Sequence, residues 1–291
     1  MEVFQTYDQT NAWLQALQKA HPDRVWTETI GISVENRDII AITINPVQRE
    51  TILITANVHA REWIAMTSTL FLIHELVRNA NMYPDLARFK WVIVPMPNPD
   101  GYEFSREHMR SWRKNRSIQP TGDIGVDLNR NFEYQWDMVI QSADEDPSSE
   151  TFRGPAPNSE LETKALTKLI LRHRDALLYV DIHCCGQFIF YPWGYTDEPP
   201  PNQSISKRVA EAGANGIDFN KGVRYKVGTP GQLVGKAPGC GMDYCQWLNI
   251  RACTWIQLGK DDYEVDVDQI VPYGIEAMYA ISAMAYTVTL P

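Results

Sequence analysis

The stretch Thr51-Ile-Leu-Ile-Thr-Ala-Asn-Val-His-Ala-Arg-Glu62 decides the fold and points to its chemistry. Its first six residues are apolar or β-branched, a pattern that predicts a strand. His59 and Glu62 follow where that strand ends. A second histidine, His183, closes another apolar run, which begins at Leu177. Two imidazoles and one carboxylate at strand ends are the ligands that a catalytic zinc with an open fourth position needs.

Strand patterns alternate with helical patterns along the rest of the chain. Further strands are predicted at residues 39–44, 91–94, 177–182 and 253–258, and helices at 63–79, 158–174, 204–216 and 272–286. Asn98-Pro-Asp-Gly101 predicts a turn. The alternation predicts an α/β fold whose sheet carries helices on both faces. No linker or internal repeat interrupts the pattern, so we expect one domain.

Composition limits the possible partners. The 291 residues carry a formal net charge of -9, which argues against nucleic acids and anionic membranes, because both need a positive footprint. No run of about 18 apolar residues is present that would span a membrane. Residues 1–5 lack the features of a signal peptide. We therefore expect a cytoplasmic monomer, or a secreted protein if the sequence is a mature domain with a new start methionine.

The five cysteines are an odd number, and none of their spacings is that of a Cys-x-x-Cys motif. They are Cys184, Cys185, Cys240, Cys245 and Cys253. Buried free thiols are the favoured interpretation. A disulfide stays open as an alternative, because pairing depends on distances that a sequence does not give.

A series of further motifs accompanies the metal-binding pattern in a specific order. They are Asn98-Pro-Asp-Gly-Tyr102, Trp112-Arg-Lys, Gly125-Val-Asp-Leu-Asn-Arg-Asn131, Phe152-Arg-Gly, Asp181-Ile-His183, Tyr191-Pro-Trp-Gly-Tyr195 and Gln269-Ile-Val-Pro272. The series resembles the zinc carboxypeptidase A/B family, the funnelin metallocarboxypeptidases, from about Tyr7 to the end of the chain. The resemblance implies a mixed, mostly eight-stranded sheet between helices. It also implies that residues 1–291 are a catalytic domain without an activation propeptide.

The resemblance implies a role for each residue around the metal. His59, Glu62 and His183 would be the ligands of Zn²⁺, a cation that suits imidazole nitrogen and carboxylate oxygen. Asp127 would orient His59 from behind. Arg113 matches the arginine that polarises the scissile carbonyl and holds its developing negative charge, a task for a fixed positive charge.

Four other residues match positions that hold the substrate in this family. Asn129 and Arg130 match the pair that clamps the terminal carboxylate of a peptide, and a guanidinium can bind a carboxylate with two hydrogen bonds. Arg61 matches a subsidiary substrate-binding arginine. Met242 stands at the specificity position, where members that prefer basic C-terminal residues carry aspartate. The expected ligand is therefore a peptide C-terminus, or a small carboxylate-bearing molecule, without a basic preference.

The general base of the family is replaced. Counting forward from Asp243 and backward from Tyr263 places Gln257 where the family has glutamate. A carboxylate there takes a proton from the attacking water and hands it to the leaving amine. A carboxamide does not exchange that proton, so hydrolysis by the standard route should be slower by about 10²–10⁴-fold.

Other positions near the reacting centre also depart from the family. Gly235, in Gly235-Lys-Ala-Pro-Gly-Cys240, stands in place of the mobile tyrosine that caps a bound substrate. Cys184-Cys185 replaces the usual Ser-Tyr, Gly259 replaces an arginine, and Trp255 replaces a small pocket-floor residue.

Three hypotheses follow from these departures. The chain is a working or engineered-inactive carboxypeptidase, a pseudopeptidase that binds C-termini without cleaving them, or a zinc enzyme turned to an amino-acid-derived small molecule in biosynthesis. A single designed Glu-to-Gln change would explain Gln257 but neither Gly235 nor Cys185. Several simultaneous changes favour natural divergence.

Overall fold

The computed structural model describes residues 3–138, 140–201, 203–260 and 262–291. In these ranges, one sheet contains β1 (Val25–Ile32), β2 (Asp38–Ile44), β3 (Thr51–Ala56), β4 (Lys90–Val94), β5 (Leu178–Cys184), β6 (Phe188–Phe190), β7 (Lys226–Gly228) and β8 (Ala252–Leu258). Their spatial order is β1-β2-β4-β3-β5-β8-β6-β7. The sheet is mixed: the four central strands β4, β3, β5 and β8 are parallel, and antiparallel pairs join them to the strands outside.

Helices cover both faces of this sheet. They are α1 (Tyr7–Ala20), α2 (Trp63–Arg78), α3 (Pro99–Glu107), α4 (Leu161–Arg172), α5 (Gln203–Lys221), α6 (Pro230–Leu233), α7 (Gly241–Trp247) and α8 (Ile270–Val288). One apolar core lies between the sheet and α1, α2, α5 and α8. A second core lies on the opposite face, against α4 and α7. This is the α/β, eight-stranded, single-domain architecture that the sequence and the resemblance predict.

The central strands bring the candidate ligands together. Every residue of β3 and of β5 is buried, because each strand has parallel neighbours on both sides and helices above and below. Both strands end at the same edge of the sheet, where α/β proteins commonly place their sites. His59 and Glu62 follow β3, whereas His183 is the second-to-last residue of β5. No helix in the described ranges is apolar over enough length to cross a membrane.

Two local predictions differ from the structure. The segment Asn98-Pro-Asp-Gly101 begins α3 rather than forming an isolated turn: Asn98 is the N-cap and accepts a hydrogen bond from Gly101 N at 3.1 Å, and Pro99 occupies the first helical position. The helix predicted from residue 158 begins at Leu161, with Glu160 as its N-cap. Asn98, Pro99 and Gly101 are residue types that turns and helix starts share, and the exact first residue of a helix is the least reliable part of a sequence prediction.

Candidate metal centre

His59, Glu62 and His183 direct one side-chain atom each toward a common point. His59 Nδ1 lies 2.9 Å from Glu62 Oε1, and His183 Nδ1 lies 3.0 Å from both His59 Nδ1 and Glu62 Oε2. A tetrahedral zinc with Zn–N distances of 2.0–2.1 Å separates its ligand atoms by about 3.3 Å. The three donors are of the types that zinc accepts and need to separate only slightly to hold it. The described residues contain this one group of three or more potential metal ligands.

A short loop after β3 sets the positions of His59 and Glu62. Asn57 adopts a positive φ of 55°, and its side-chain amide donates to the backbone oxygens of His59 at 3.0 Å and of Glu62 at 3.1 Å. Glu62 is the N-cap residue of α2, so its carboxylate extends from a rigid helix start. Asn57 was not identified from the sequence. The one signal of its role in the sequence is its position between a predicted strand and the metal-binding motif. Asparagine at such a position is notable because it tolerates the left-handed backbone conformation.

Asp181 holds His183 from the side opposite the metal donors. Residues 181 and 183 lie on the same face of β5 because side chains alternate along a strand. His183 Nε2 lies 2.9 Å from Asp181 Oδ2, while Thr55 donates to Asp181 Oδ1 at 2.7 Å. With Nε2 engaged in this way, Nδ1 is directed toward Glu62. This role of Asp181 was not predicted from its motif, although its two-residue spacing from His183 is the signal that indicates it.

Asp127 occupies the equivalent place behind His59. Its Oδ1 lies 3.1 Å from His59 Nε2, and its Oδ2 accepts from Arg113 at 2.8 Å and 3.2 Å. Burial alone would raise the pKa of Asp127, but the Arg113 guanidinium and His59 hold it well below its usual range. Burial would also lower the pKa of Arg113, but Asp127 and Glu62 raise it. This part of the site therefore carries a fixed anion and a fixed cation in contact.

The metal-facing groups also shift one another's protonation. Burial would raise the pKa of Glu62, but the adjacent His59 and His183 hold it well below its usual range. Burial would lower the pKa of His183, yet Asp181 and Glu62 together raise it to about 9. The ionised carboxylate of Glu62 can bind a divalent cation, and such a cation would displace the proton of His183, because a ligating imidazole is neutral.

A cavity of about 160 Å³ opens beside these ligands. Its lining consists of Arg61, Glu62, Arg113, Cys184, Cys185, Gln257 and Tyr263. Gln257 pairs with His183 in the register of β5 and β8, and its Oε1 is buried without a hydrogen-bond partner in the described structure. The guanidinium of Arg61 stacks over the Tyr263 ring at 4.9 Å and binds Glu150 at 3.0 Å. In the sequence, Tyr263 served only to locate position 257, and it was not expected at the site.

Asn129 and Arg130, the candidate carboxylate clamp, are not among the described residues that line this cavity. Asn129 Nδ2 lies 3.4 Å from His183 Nε2, and its Oδ1 accepts from Gly241 N at 3.0 Å. Arg130 donates to the backbone oxygen of Asn129 at 3.0 Å. Met242, in α7, is 1% exposed and belongs to the apolar core. Within the described residues, Arg130 and Met242 are not among those that line the 160 Å³ cavity.

The prediction of free thiols is wrong for two of the five cysteines. Cys184 and Cys185 form a disulfide between neighbouring residues. Adjacency keeps the two sulfurs within reach of each other, which an argument from Cys-x-x-Cys spacing overlooks. The remaining described cysteines, Cys240, Cys245 and Cys253, are buried free thiols as predicted.

Comparisons with known proteins agree with this geometry. The family model described as "Zinc carboxypeptidase" (Peptidase_M14) matches residues 10–280. The chain is 30% identical to carboxypeptidase B of Astacus astacus over 97% of this chain and 96% of that protein. It is also 30% identical to mast cell carboxypeptidase A of Homo sapiens, over 97% of this chain and 70% of that protein.

Solved structures give the same result for the fold. The crystal structure of carboxypeptidase A from Helicoverpa armigera superposes with a TM-score of 0.92 at 28% identity, covering 99% of this chain and 74% of the other. Thrombin-activatable fibrinolysis inhibitor superposes with a TM-score of 0.93 at 26% identity, over 99% and 75%. With a matching family model over nearly its whole length and relatives that align along most of theirs, this chain belongs to the zinc carboxypeptidase family, whose cofactor is zinc.

Proposed function

We propose that this protein binds ligands that carry a free carboxylate beside an amide or similar carbonyl, and that it cleaves peptides poorly by the route of its family. The observation that carries the proposal is a complete set of metal-binding side chains beside a carboxamide. His59, Glu62 and His183 converge to within 3.0 Å of one another, and Gln257 lines the adjacent cavity. Residues 1–291 would act as one domain of the catalytic type.

His59, Glu62 and His183 would hold the zinc, with Asp127 and Asp181 orienting the two imidazoles. Zinc bound there would supply Lewis acidity toward a carbonyl oxygen. Asp181 and Asp127 contact the Nε2 atoms, so both Nδ1 atoms stay available on the metal side. Such outer contacts raise the basicity of a ligand and fix its tautomer.

Arg113 would hold the negative charge that develops on the carbonyl oxygen of the ligand. Its guanidinium lines the cavity, and Asp127 keeps it charged and oriented. Asp127 accepts from Nε and Nη2 of Arg113, whereas Nη1 lies 4.0 Å from Glu62 and can turn toward a ligand. A pre-oriented cation in a partly dry cavity is effective in this task.

Asn129 and Arg130 would clamp the carboxylate, and Arg61 would contact the ligand further out. Arg130 is half-buried and its guanidinium donates to the backbone oxygen of Asn129, so a charged carboxylate can replace that acceptor with a stronger one. The buried Met242 offers no negative charge to a basic side chain. We therefore propose ligands with an apolar or small C-terminal residue.

Gln257 is the reason to expect weak hydrolysis. Its carboxamide can hydrogen-bond to a water molecule or to the ligand, and the unpartnered Oε1 is available as an acceptor. It does not accept a proton from water and return it to a leaving amine. Losing such a group typically costs about 10²–10⁴ in rate, or about 3–5 kcal/mol of barrier.

Two alternatives share this site: binding of C-termini without cleavage, and a reaction on an amino-acid-derived small molecule. Changes beyond Gln257 support both. Gly235, at the position of the capping tyrosine, has a φ of +119°, a conformation that side-chain-bearing residues rarely adopt. The loop backbone is therefore suited to glycine, which argues for natural divergence over a single engineered change.

The test is release of C-terminal residues from a mixed peptide library, read by mass spectrometry. Zinc-loaded protein is compared with its Gln257→Glu variant. Gln48→Glu serves as the matched control, because it adds the same charge at an exposed loop position. We expect little release by the native protein and by the control.

The outcomes separate the three hypotheses. If Gln257→Glu releases residues at least about 10² times faster than the native protein, the other catalytic residues are functional and Gln257 is what blocks hydrolysis. If both proteins are inert but bind peptides, and Arg130→Ala weakens that binding, a pseudopeptidase is favoured. If both proteins neither cleave nor bind peptides, a small-molecule substrate is favoured. Rapid turnover by the native protein would refute the proposed role of Gln257.

A further inference from the structure

The disulfide between Cys184 and Cys185 directly follows the candidate zinc ligand His183 and lies at the wall of the cavity. Cys184 is buried, whereas Cys185 is partly exposed. The other described cysteines are completely buried, each 0% exposed, and contact neither the cavity nor solvent. One sulfur pair among the described cysteines is therefore positioned to meet a small reagent that enters the cavity.

This pair contacts the metal centre on one side and the cavity rim on the other. The backbone N–H of Cys184 donates to Glu62 Oε2 at 3.2 Å, on the carboxylate that converges with the two imidazoles. Cys185 Sγ lies 2.8 Å from the backbone oxygen of Asp262, and the neighbouring Tyr263 also lines the cavity. A chemical change at the pair thus acts on a wall shared by the ligand cavity and the metal site.

We propose that Cys184–Cys185 is a thiol–disulfide exchange site that takes low-molecular-weight thiols entering the cavity. Cys185 is the sulfur attacked, because it is the more exposed of the two. The thiolate of a small thiol forms a bond to Cys185 Sγ, the bond between the two protein sulfurs breaks, and Cys184 leaves as a thiolate and gains a proton. A second small thiol then attacks the mixed disulfide and releases a small-molecule disulfide. Two thiols are oxidised, and the protein pair gains two electrons and two protons.

The mixed disulfide has a consequence for ligand binding. The small molecule attached to Cys185 projects into a cavity of only about 160 Å³. A group of a few heavy atoms fills much of that space, so it excludes a carboxylate ligand. Exchange at Cys185 would therefore switch ligand binding off without removing any metal-binding residue. This consequence rests on the proposed function, whereas the exchange reaction itself does not.

The exchange is tested first by alkylation of the folded protein. Protein is treated with oxidised 2-mercaptoethanol to close the pair, then with increasing 2-mercaptoethanol, and quenched with N-ethylmaleimide before peptide mapping. We expect no labelling at Cys184 or Cys185 before reduction and complete labelling at both after it. Cys240, Cys245 and Cys253 are the internal control and should label only after unfolding. Labelling of both neighbours without reductant, or reduction only in denaturant, would overturn the proposal.

The effect on binding is tested with Cys184→Ser, which leaves Cys185 unable to close the ring. Oxidised 2-mercaptoethanol should attach one mercaptoethanol group to Cys185, and this adduct should lose binding of a C-terminal peptide that the unmodified variant retains. Cys185→Ser, treated identically, is the control and should keep its binding. If the unmodified proteins bind no peptide, the proposed function fails while the alkylation result still stands. An adduct that binds as well as the unmodified variant would overturn the blocking step.

Discussion

Glu62 and Glu162 are both buried glutamates, but their surroundings drive their pKa values in opposite directions. Glu62, 3% exposed, lies between His59 and His183, which hold its pKa well below the usual range despite burial. Glu162, 0% exposed, lies in the first turn of α4, where burial raises its pKa to about 7. Burial opposes the negative charge of both carboxylates. The difference comes from the partners.

The partners of Glu162 are neutral or negative. Asn115 Nδ2 donates to Glu162 Oε2 at 3.0 Å and also to Glu160 Oε2 at 2.7 Å, so one amide serves two carboxylates. Glu160 and Asp100 raise the pKa of Glu162 further through their negative charge. Its second oxygen has no hydrogen-bond partner in the described structure. A proton is the simplest way to satisfy this carboxyl, whereas a metal shared with two imidazoles would satisfy Glu62.

The largest effect is expected from Glu62→Gln, which keeps the shape of the side chain but removes its charge. Native protein should gain about 4 kcal/mol of unfolding free energy at a zinc concentration about 1,000 times the Kd. The variant should lose most of that gain, because a neutral amide is a poor zinc ligand. Urea unfolding with and without zinc measures the difference. Glu162→Gln is the matched control, and a zinc gain equal to native in Glu62→Gln would contradict the assignment of the ligand.

The next effect concerns Glu162→Gln in the absence of zinc. Because the folded-state pKa is raised from 4.5 to about 7, the native fold binds more protons than the unfolded chain between these values. Native stability should therefore fall as the pH rises from about 4.5 to 7, by about 3 kcal/mol from this group. The variant cannot ionise, so this part of the decline should disappear.

Urea unfolding at pH 5 and pH 8 measures that decline in both proteins. Glu107→Gln, at an exposed position, controls for the loss of one carboxylate and should retain the native pH dependence. Identical slopes in native protein and Glu162→Gln would show that Glu162 is ionised in the fold at neutral pH.

The sequence predicted most of the fold because its central elements are long and regular. The all-buried strand Thr51–Ala56 matched its predicted bounds, and the helix predicted at 63–79 was observed at Trp63–Arg78. The helix Tyr7–Ala20 and the strand Val25–Ile32 were not predicted, and neither were the three-residue strands Phe188–Phe190 and Lys226–Gly228. A strand this short carries no measurable period, and its pairing is decided by tertiary neighbours.

The residues of the candidate site also divide into those that the sequence predicted and those that it did not. Its candidate metal ligands were predicted from motifs, since chemistry restricts metal ligands to few residue types. The supporting contacts of Asn57 and Asp181 were not, because a hydrogen bond between distant elements, such as Thr55 with Asp181, has no local pattern. The disulfide was missed for the opposite reason: it is so local that spacing rules do not describe it.

The smallest effect is expected from Asp181→Asn, which tests whether the contact of Asp181 with His183 Nε2 contributes to the metal binding that distinguishes Glu62 from Glu162. Asparagine can still accept from His183 Nε2 but no longer stabilises positive charge on the ring, so zinc affinity should fall about tenfold, or about 1.4 kcal/mol. Competition with a fluorescent zinc chelator measures it. Asp175→Asn, outside β5 and the site, is the control. An unchanged Kd would mean that geometry alone, and not the charge of Asp181, prepares His183 for the metal.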